Sequence, residues 1–120
     1  MTVQELGHAV AEWAKGEVLV RRVYLFGSRA KATHHAASDA DLAILYRIDP
    51  VVLAACDSPT VARLLTWFDW EECWRTRLQK RLPMRVHLHA VDRADAKVVW
   101  PALKERRYCL YRRDLPKHPQ

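Results

Sequence analysis

Gly27-Ser28, followed after ten intervening residues by Asp39-Ala40-Asp41, is the stretch of this sequence whose residue types and spacing can do chemistry. A glycine closing an apolar segment lets a ligand approach the backbone closely. Ser28, opening a helical turn, turns its hydroxyl and the adjacent free N–H groups outward at a point of partial positive charge, a natural seat for phosphate. Arg29 and Lys31 add mobile positive charge to the same rim. Asp39 and Asp41 are two apart at the start of an extended segment, so their side chains project to one face. Two neighbouring carboxylates repel unless they share a cation. Hard oxygen donors beside phosphate favour Mg2+, with Mn2+ as the alternative. A site of this kind holds a nucleoside triphosphate by its phosphates and polarises the α-phosphate for in-line attack. Gly-Ser and Asp-x-Asp are each common in turns; their conjunction across two strands is the selective feature.

The elements that must position these residues follow from periodicity. Val3, Leu6, Val10 and Trp13 recur at helical spacing and Gly16 ends the run, which predicts a helix from about Val3 to Lys15. Val18 to Phe26 is β-branched and aromatic and reads as a strand ending at Gly27; Asp41 to Tyr46 reads as a second, central strand. The polar segment between them reads as one helical turn and a loop. Asp49-Pro50 and Ser58-Pro59 each place a capping side chain before a proline at the first helical position, the second opening a long helix to about Leu82. Arg85 to Val91 alternates strictly, which turns Val86, Leu88 and Ala90 to the core and His87 and His89 to the site. A last helix is expected from Ala94 to Arg107, kinked or divided by Pro101, then a strand from Tyr108 to Tyr111. The fold class is α/β, a small mixed β-sheet flanked by helices, with a domain over residues 1–114 and a frayed tail over 115–120.

Leu25-Phe-Gly-Ser-Arg-Ala-Lys and Ser38-Asp-Ala-Asp-Leu-Ala-Ile-Leu45 together resemble the signature of the DNA polymerase β-like nucleotidyltransferase superfamily, in its minimal, MNT-type members. Their pattern is an LFGSRARG-like run followed by SDxDL. Leu103 to Tyr111 is similar to the ending of those proteins. The resemblance implies the polymerase β-like nucleotidyltransferase fold. It also implies that Gly27 and Ser28 bind the triphosphate of ATP and that Asp39 and Asp41 ligate Mg2+. Minimal members are often paired, as antitoxins, with a helical HEPN-type toxin, and active ones transfer AMP to a tyrosine of that partner. Two positions depart from the pattern. Ala32 stands where the family usually has glycine, and His87 stands where a third carboxylate is expected on a later strand. Three readings of His87 follow: a working base suited to neutral pH, a ligand for a transition metal together with His34, His35 or His89, or the mark of a site that binds without catalysing. Asp92 and Asp95 stand in for the missing carboxylate only if the strand register differs.

On the long helix, Val61, Leu64, Leu65 and Phe68 form one apolar stripe, expected to be core. Trp67, Trp70 and Trp74 form a second stripe displaced around the helix, read as a partner interface, with a second core face of a helix covered on two sides as the alternative. The chain's net charge is +6 over 120 residues. The excess lies in the last 50 residues, with 13 basic against 6 acidic. Lying near the tryptophans, this charge suits an acidic protein partner ahead of nucleic acid, for which no recognition motif is present. Half the residues are apolar, enough for a core and too many for a disordered chain. A chain this short has no room for a substrate domain, so a partner is expected to supply it; self-association into a homo-oligomer stays open. No apolar run of membrane-spanning length occurs. Cys56, Cys73 and Cys109, odd in number and without a CxxC, read as reduced and mostly buried thiols of a cytoplasmic protein.

Overall fold

The computed structural model describes residues 1–30, 38–91 and 107–113. Lys31, His34, His35, Asp92, Asp95, all but the last residue of the helix expected over 94–107, and the tail therefore lie outside the described residues. Helix α1 spans Val3–Lys15. Thr2 Oγ1 accepts from the Glu5 N–H and the Glu5 carboxylate accepts from the Thr2 N–H, both at 3.1 Å, a reciprocal cap that satisfies orphan donors of the first turn. Leu6, Val10, Trp13 and Ala14 form its buried face. At the other end Arg113 donates to the carbonyls of Val18 at 2.8 Å and Lys15 at 3.1 Å, so a cation just beyond the last described strand caps the helix C-terminus.

Strands β1 (Val20–Phe26), β2 (Ala40–Tyr46), β3 (Val86–Ala90) and β4 (Tyr108–Arg112) form one sheet in the order β3-β2-β1-β4. β1 runs antiparallel to β2 and β4, whereas β2 and β3 are parallel, so the sheet is mixed as expected. The first strand begins at Val20 and not at Val18, whose side chain is exposed. Alternation sorts the faces. Val23 and Leu25, Leu42 and Ile44, and Val86, Leu88 and Ala90 pack with α1 and the long helix in a single core. Phe26 and Ala43, with Tyr24 and Val91, make a small second cluster on the opposite face.

Helix α2 (Pro50–Ala55) is capped by Asp49, whose carboxylate accepts from the Val51 N–H at 2.9 Å. Helix α3 spans Pro59–Gln79; Ser58 sits at its N-cap but makes no side-chain cap bond. The two stripes of α3 are inverted relative to expectation. Ala62, Thr66, Trp74 and Leu78 are buried, with Trp67 and Trp70 packed partly against the core, while Val61, Leu64, Leu65 and Phe68 are exposed. Trp74, at 0% exposed, belongs to the core and not to an exposed interface, while Trp67 and Trp70 are half-buried. The physical reason is surface area and satisfaction together. Indoles remove more apolar surface from water than Val or Leu. They also find partners here: Trp74 stacks on Trp70 at 6.2 Å and packs at an angle against Tyr46 at 5.7 Å and Trp67 at 6.0 Å, and Trp70 Nε1 donates to Asp49 at 3.1 Å. Small Ala62 and Thr66 let the helix approach; Thr66 Oγ1 donates to the Ala62 carbonyl and accepts from the Asp49 N–H. The cysteines differ from expectation as well: Cys56 and Cys73 are half-buried and Cys109 is exposed, all as free thiols. No described helix is long and apolar enough to cross a membrane.

Candidate functional site

The site lies on the sheet face opposite α1 and α3, where the end of β1 adjoins the start of β2, with β3 on the far side of β2. Gly27 follows β1 with φ +76°, a backbone state that glycine adopts without steric cost. A β-carbon there would stand 2.7 Å from Asp41 Oδ2. The missing side chain therefore makes room for the Asp41 carboxylate itself, in addition to any ligand.

Parallel pairing places Asp41 directly against His87 and Ala43 against His89. Since 87 and 89 share a face, both imidazoles turn to the same carboxylate. Asp41 Oδ1 is 3.5 Å from His87 Nδ1 and 3.5 Å from His89 Nε2. One atom of each of the three residues lies within 4.8 Å of the others, a donor set that could hold a cation. The expected outward placement of His87 and His89 is what the strand shows: the His87 side chain is 60% exposed and the His89 side chain 19%. His89 is fixed by an edge-on contact with Phe26, ring centroids 5.1 Å apart, and its ring lies 4.2 Å from that of His87. His89 Nε2 is buried and, despite its proximity to Asp41, has no hydrogen-bond partner among the described residues. The 3.5 Å contact does not have the geometry of a hydrogen bond.

Asp39 precedes β2 and is half-buried, outside the three-residue cluster, so the structure brings Asp41 to His87 and His89 and leaves Asp39 on the lip. Ser28 opens the turn after Gly27 and is half-buried. Arg29 departs from expectation. Instead of a mobile charge on the rim, it is 6% exposed, and its Nε and Nη2 both donate to the Ser38 carbonyl, at 3.3 and 3.0 Å. It is a strut that ties the end of the Gly27 turn to the start of β2. Sequence reasoning had no local signal for this, because a buried arginine looks like an exposed one until its partner is known. A cleft of about 310 Å3 adjoins His87 on the outer side of β3, lined by Trp67, Glu71, Arg75, Arg85 and Val86 among others. Its lining includes neither Gly27 nor Asp41.

A family model described as polymerase beta, nucleotidyltransferase, matches residues 9–115. Among curated proteins no sequence matches at a significant level. Among solved structures, the chain is similar to one described as a toxin–antitoxin with AMP-PNP, with a TM-score of 0.58 at 22% identity over 90% of this chain and 74% of that one. A Sulfolobus solfataricus protein provisionally described as a nucleotidyltransferase matches with a TM-score of 0.46 at 16% identity, over 92% of this chain and 79% of that one. At 22% identity the first of these likenesses speaks to the fold.

Proposed function

Because the chain belongs to the polymerase beta nucleotidyltransferase family, we propose that it transfers a nucleoside monophosphate, AMP from ATP, to a hydroxyl of a partner protein, as the antitoxin of a HEPN-type toxin–antitoxin pair. The observation that carries this reading is the juxtaposition of Gly27 with Asp41 at the end of β1, where the positive-φ turn and the carboxylate share one small space. The likeness to a toxin–antitoxin structure holding AMP-PNP supports the nucleotide and the pairing with a protein.

In the reaction, the acceptor oxygen bonds to the α-phosphorus, the bond from that phosphorus to the bridging oxygen breaks, and pyrophosphate leaves with the electron pair. Positioning and charge neutralisation do most of the catalysis in such transfers. The turn at Gly27 and Ser28 seats the triphosphate, and Lys31 neutralises it. Asp39 on the lip takes the proton of the attacking hydroxyl. Arg29 keeps the two chain segments together and is a positioning residue. The family's reaction uses a divalent cation, Mg2+ or Mn2+. The donor set here fits a divalent ion, since Asp41 offers an anionic oxygen and His89 a buried nitrogen that lacks a hydrogen-bond partner. Asp41, His87 and His89 would hold it, and a bound cation would neutralise developing charge on the phosphates.

A second reading is favoured by one specific observation: the strand position paired with Asp41 carries His87 and not a carboxylate. On that reading the chain keeps the fold and the nucleotide seat but acts as a binding or regulatory subunit. Incubation with labelled ATP, divalent cation and the protein encoded beside it separates the two. Label appearing on the partner supports transfer; a stable complex without label supports the subunit.

A further inference from the structure

The structure assigns to Asp41, His87 and His89 a preference for a first-row transition ion of the Zn2+ or Co2+ type over Mg2+. This deepens the proposed function and rests on that reading for its place in nucleotidyl transfer, although the ion site itself is argued from geometry alone.

Three observations carry it. The first is donor chemistry. Mg2+ keeps to oxygen ligands and water, whereas imidazole suits Zn2+, Co2+ and neighbouring ions; two of the three donors here are imidazole nitrogens. The second is spacing. Asp41 Oδ1 stands 3.5 Å from both His87 Nδ1 and His89 Nε2. Four-coordinate ions with bonds of about 2.0–2.1 Å set their donors about 3.4 Å apart, while octahedral Mg2+ at about 2.1 Å sets adjacent donors about 3.0 Å apart. Both separations from Asp41 are nearer the tetrahedral than the octahedral spacing, and the two imidazole donors lie within 4.8 Å of each other. The third is preorganisation. All three residues sit on paired strands, Asp41 on β2 and both histidines on the edge strand β3, not on a loop, and Phe26 holds the His89 ring from its edge. His89 Nε2 is buried and without a hydrogen-bond partner among the described residues, an arrangement that a metal ion would resolve. Three protein donors leave a fourth position for a phosphate oxygen or water, the pattern of an open rather than a structural site.

The test uses metal-free full-length protein with Cys56, Cys73 and Cys109 changed to serine, which removes competing thiols. Co2+ is added while visible absorption is read, and Zn2+, Co2+ and Mg2+ are titrated calorimetrically. One Co2+ per chain with the intense visible bands of tetrahedral coordination is expected, with Zn2+ and Co2+ bound roughly a hundredfold or more tighter than Mg2+. His87→Ala and His89→Ala should each weaken Co2+ binding by roughly tenfold or more. His87→Asp, which restores an oxygen donor, should narrow the gap to Mg2+. Mg2+ bound as tightly as Zn2+, or Co2+ bands that survive both alanine variants in folded protein, would overturn the inference. Circular dichroism on each variant establishes that it is folded. A chain that transfers nucleotide with Mg2+ but holds no Co2+ defeats this inference and keeps the proposed function. A chain that holds Co2+ at these residues but transfers nothing with any ion does the reverse.

Discussion

Gly27 and Asp41 occupy adjoining parts of one space: the carboxylate oxygen of Asp41 sits 2.7 Å from where a β-carbon on Gly27 would be. The glycine is thus needed twice, once for its φ of +76° and once for the carboxylate beside it. Gly27→Ala is expected to cost about 1–2 kcal/mol in denaturant unfolding, from the left-handed backbone alone. It should also displace Asp41 and abolish ATP-dependent labelling. Unchanged labelling in a folded Gly27→Ala protein would show that the carboxylate does not need its present position.

Arg29 distinguishes a strut from a phosphate ligand. With Nε and Nη2 both donating to the Ser38 carbonyl, Arg29→Met should lower stability by about 1.5–3 kcal/mol, the range for hydrogen bonds to charged groups. Lysine should rescue poorly, because it lacks the planar fork. An arginine that served only to bind phosphate would instead raise the KM for ATP and leave unfolding unchanged.

Asp39 and Asp41 should separate by readout. Asp41→Asn is expected to remove both Co2+ bands and nucleotide transfer. Asp39→Asn should slow transfer by roughly a hundredfold, within the span assigned to a positioned acid or base, while the Co2+ bands persist. Loss of Co2+ in both variants would place Asp39 among the ligands.

The two faces of α3 make opposite predictions for stability. Trp74→Ala should cost about 3–5 kcal/mol, as expected for a fully buried aromatic. Phe68→Ser, at a side chain 68% exposed, should stay within about 0.5 kcal/mol of the parent. Urea unfolding of both variants reads the contrast directly; the reverse order would restore the core to the Val61–Phe68 stripe.

Acid should loosen the start of α1. The backbone and side-chain hydrogen bonds of Thr2 hold the Glu5 carboxyl below the ordinary glutamate range. A lowered folded-state value means stabilisation that is present above the ordinary value and lost as pH falls through the lowered one. An NMR titration should show Glu5 moving back toward the ordinary value in Thr2→Ala, with first-turn amides of α1 exchanging faster.

Much of the fold was legible because alternation and helical spacing are local. The run from Arg85 to Val91 announces its two faces by itself, and the placement of His87 and His89 follows. What the pattern does not contain is the neighbour: that β3 lies parallel to β2 with His87 opposite Asp41 is a matter of sheet order. The stripes of α3 fail for a related reason. Both have helical spacing and both are apolar, so periodicity cannot choose between them; the choice rests on Tyr46 and Asp49, far away in sequence, meeting the indoles. For Arg29, nothing local separates a guanidinium that faces solvent from one that faces a carbonyl nine residues away.

Comparing α-labelled with γ-labelled ATP, in the presence of the partner protein and a divalent ion, shows whether the Gly27–Asp41 corner transfers a nucleotide. Such a transfer requires that the α label become attached to the partner with release of pyrophosphate, that the γ label not do so, and that Asp41→Asn abolish attachment. Label from the γ position, or α labelling that persists in Asp41→Asn, would contradict it.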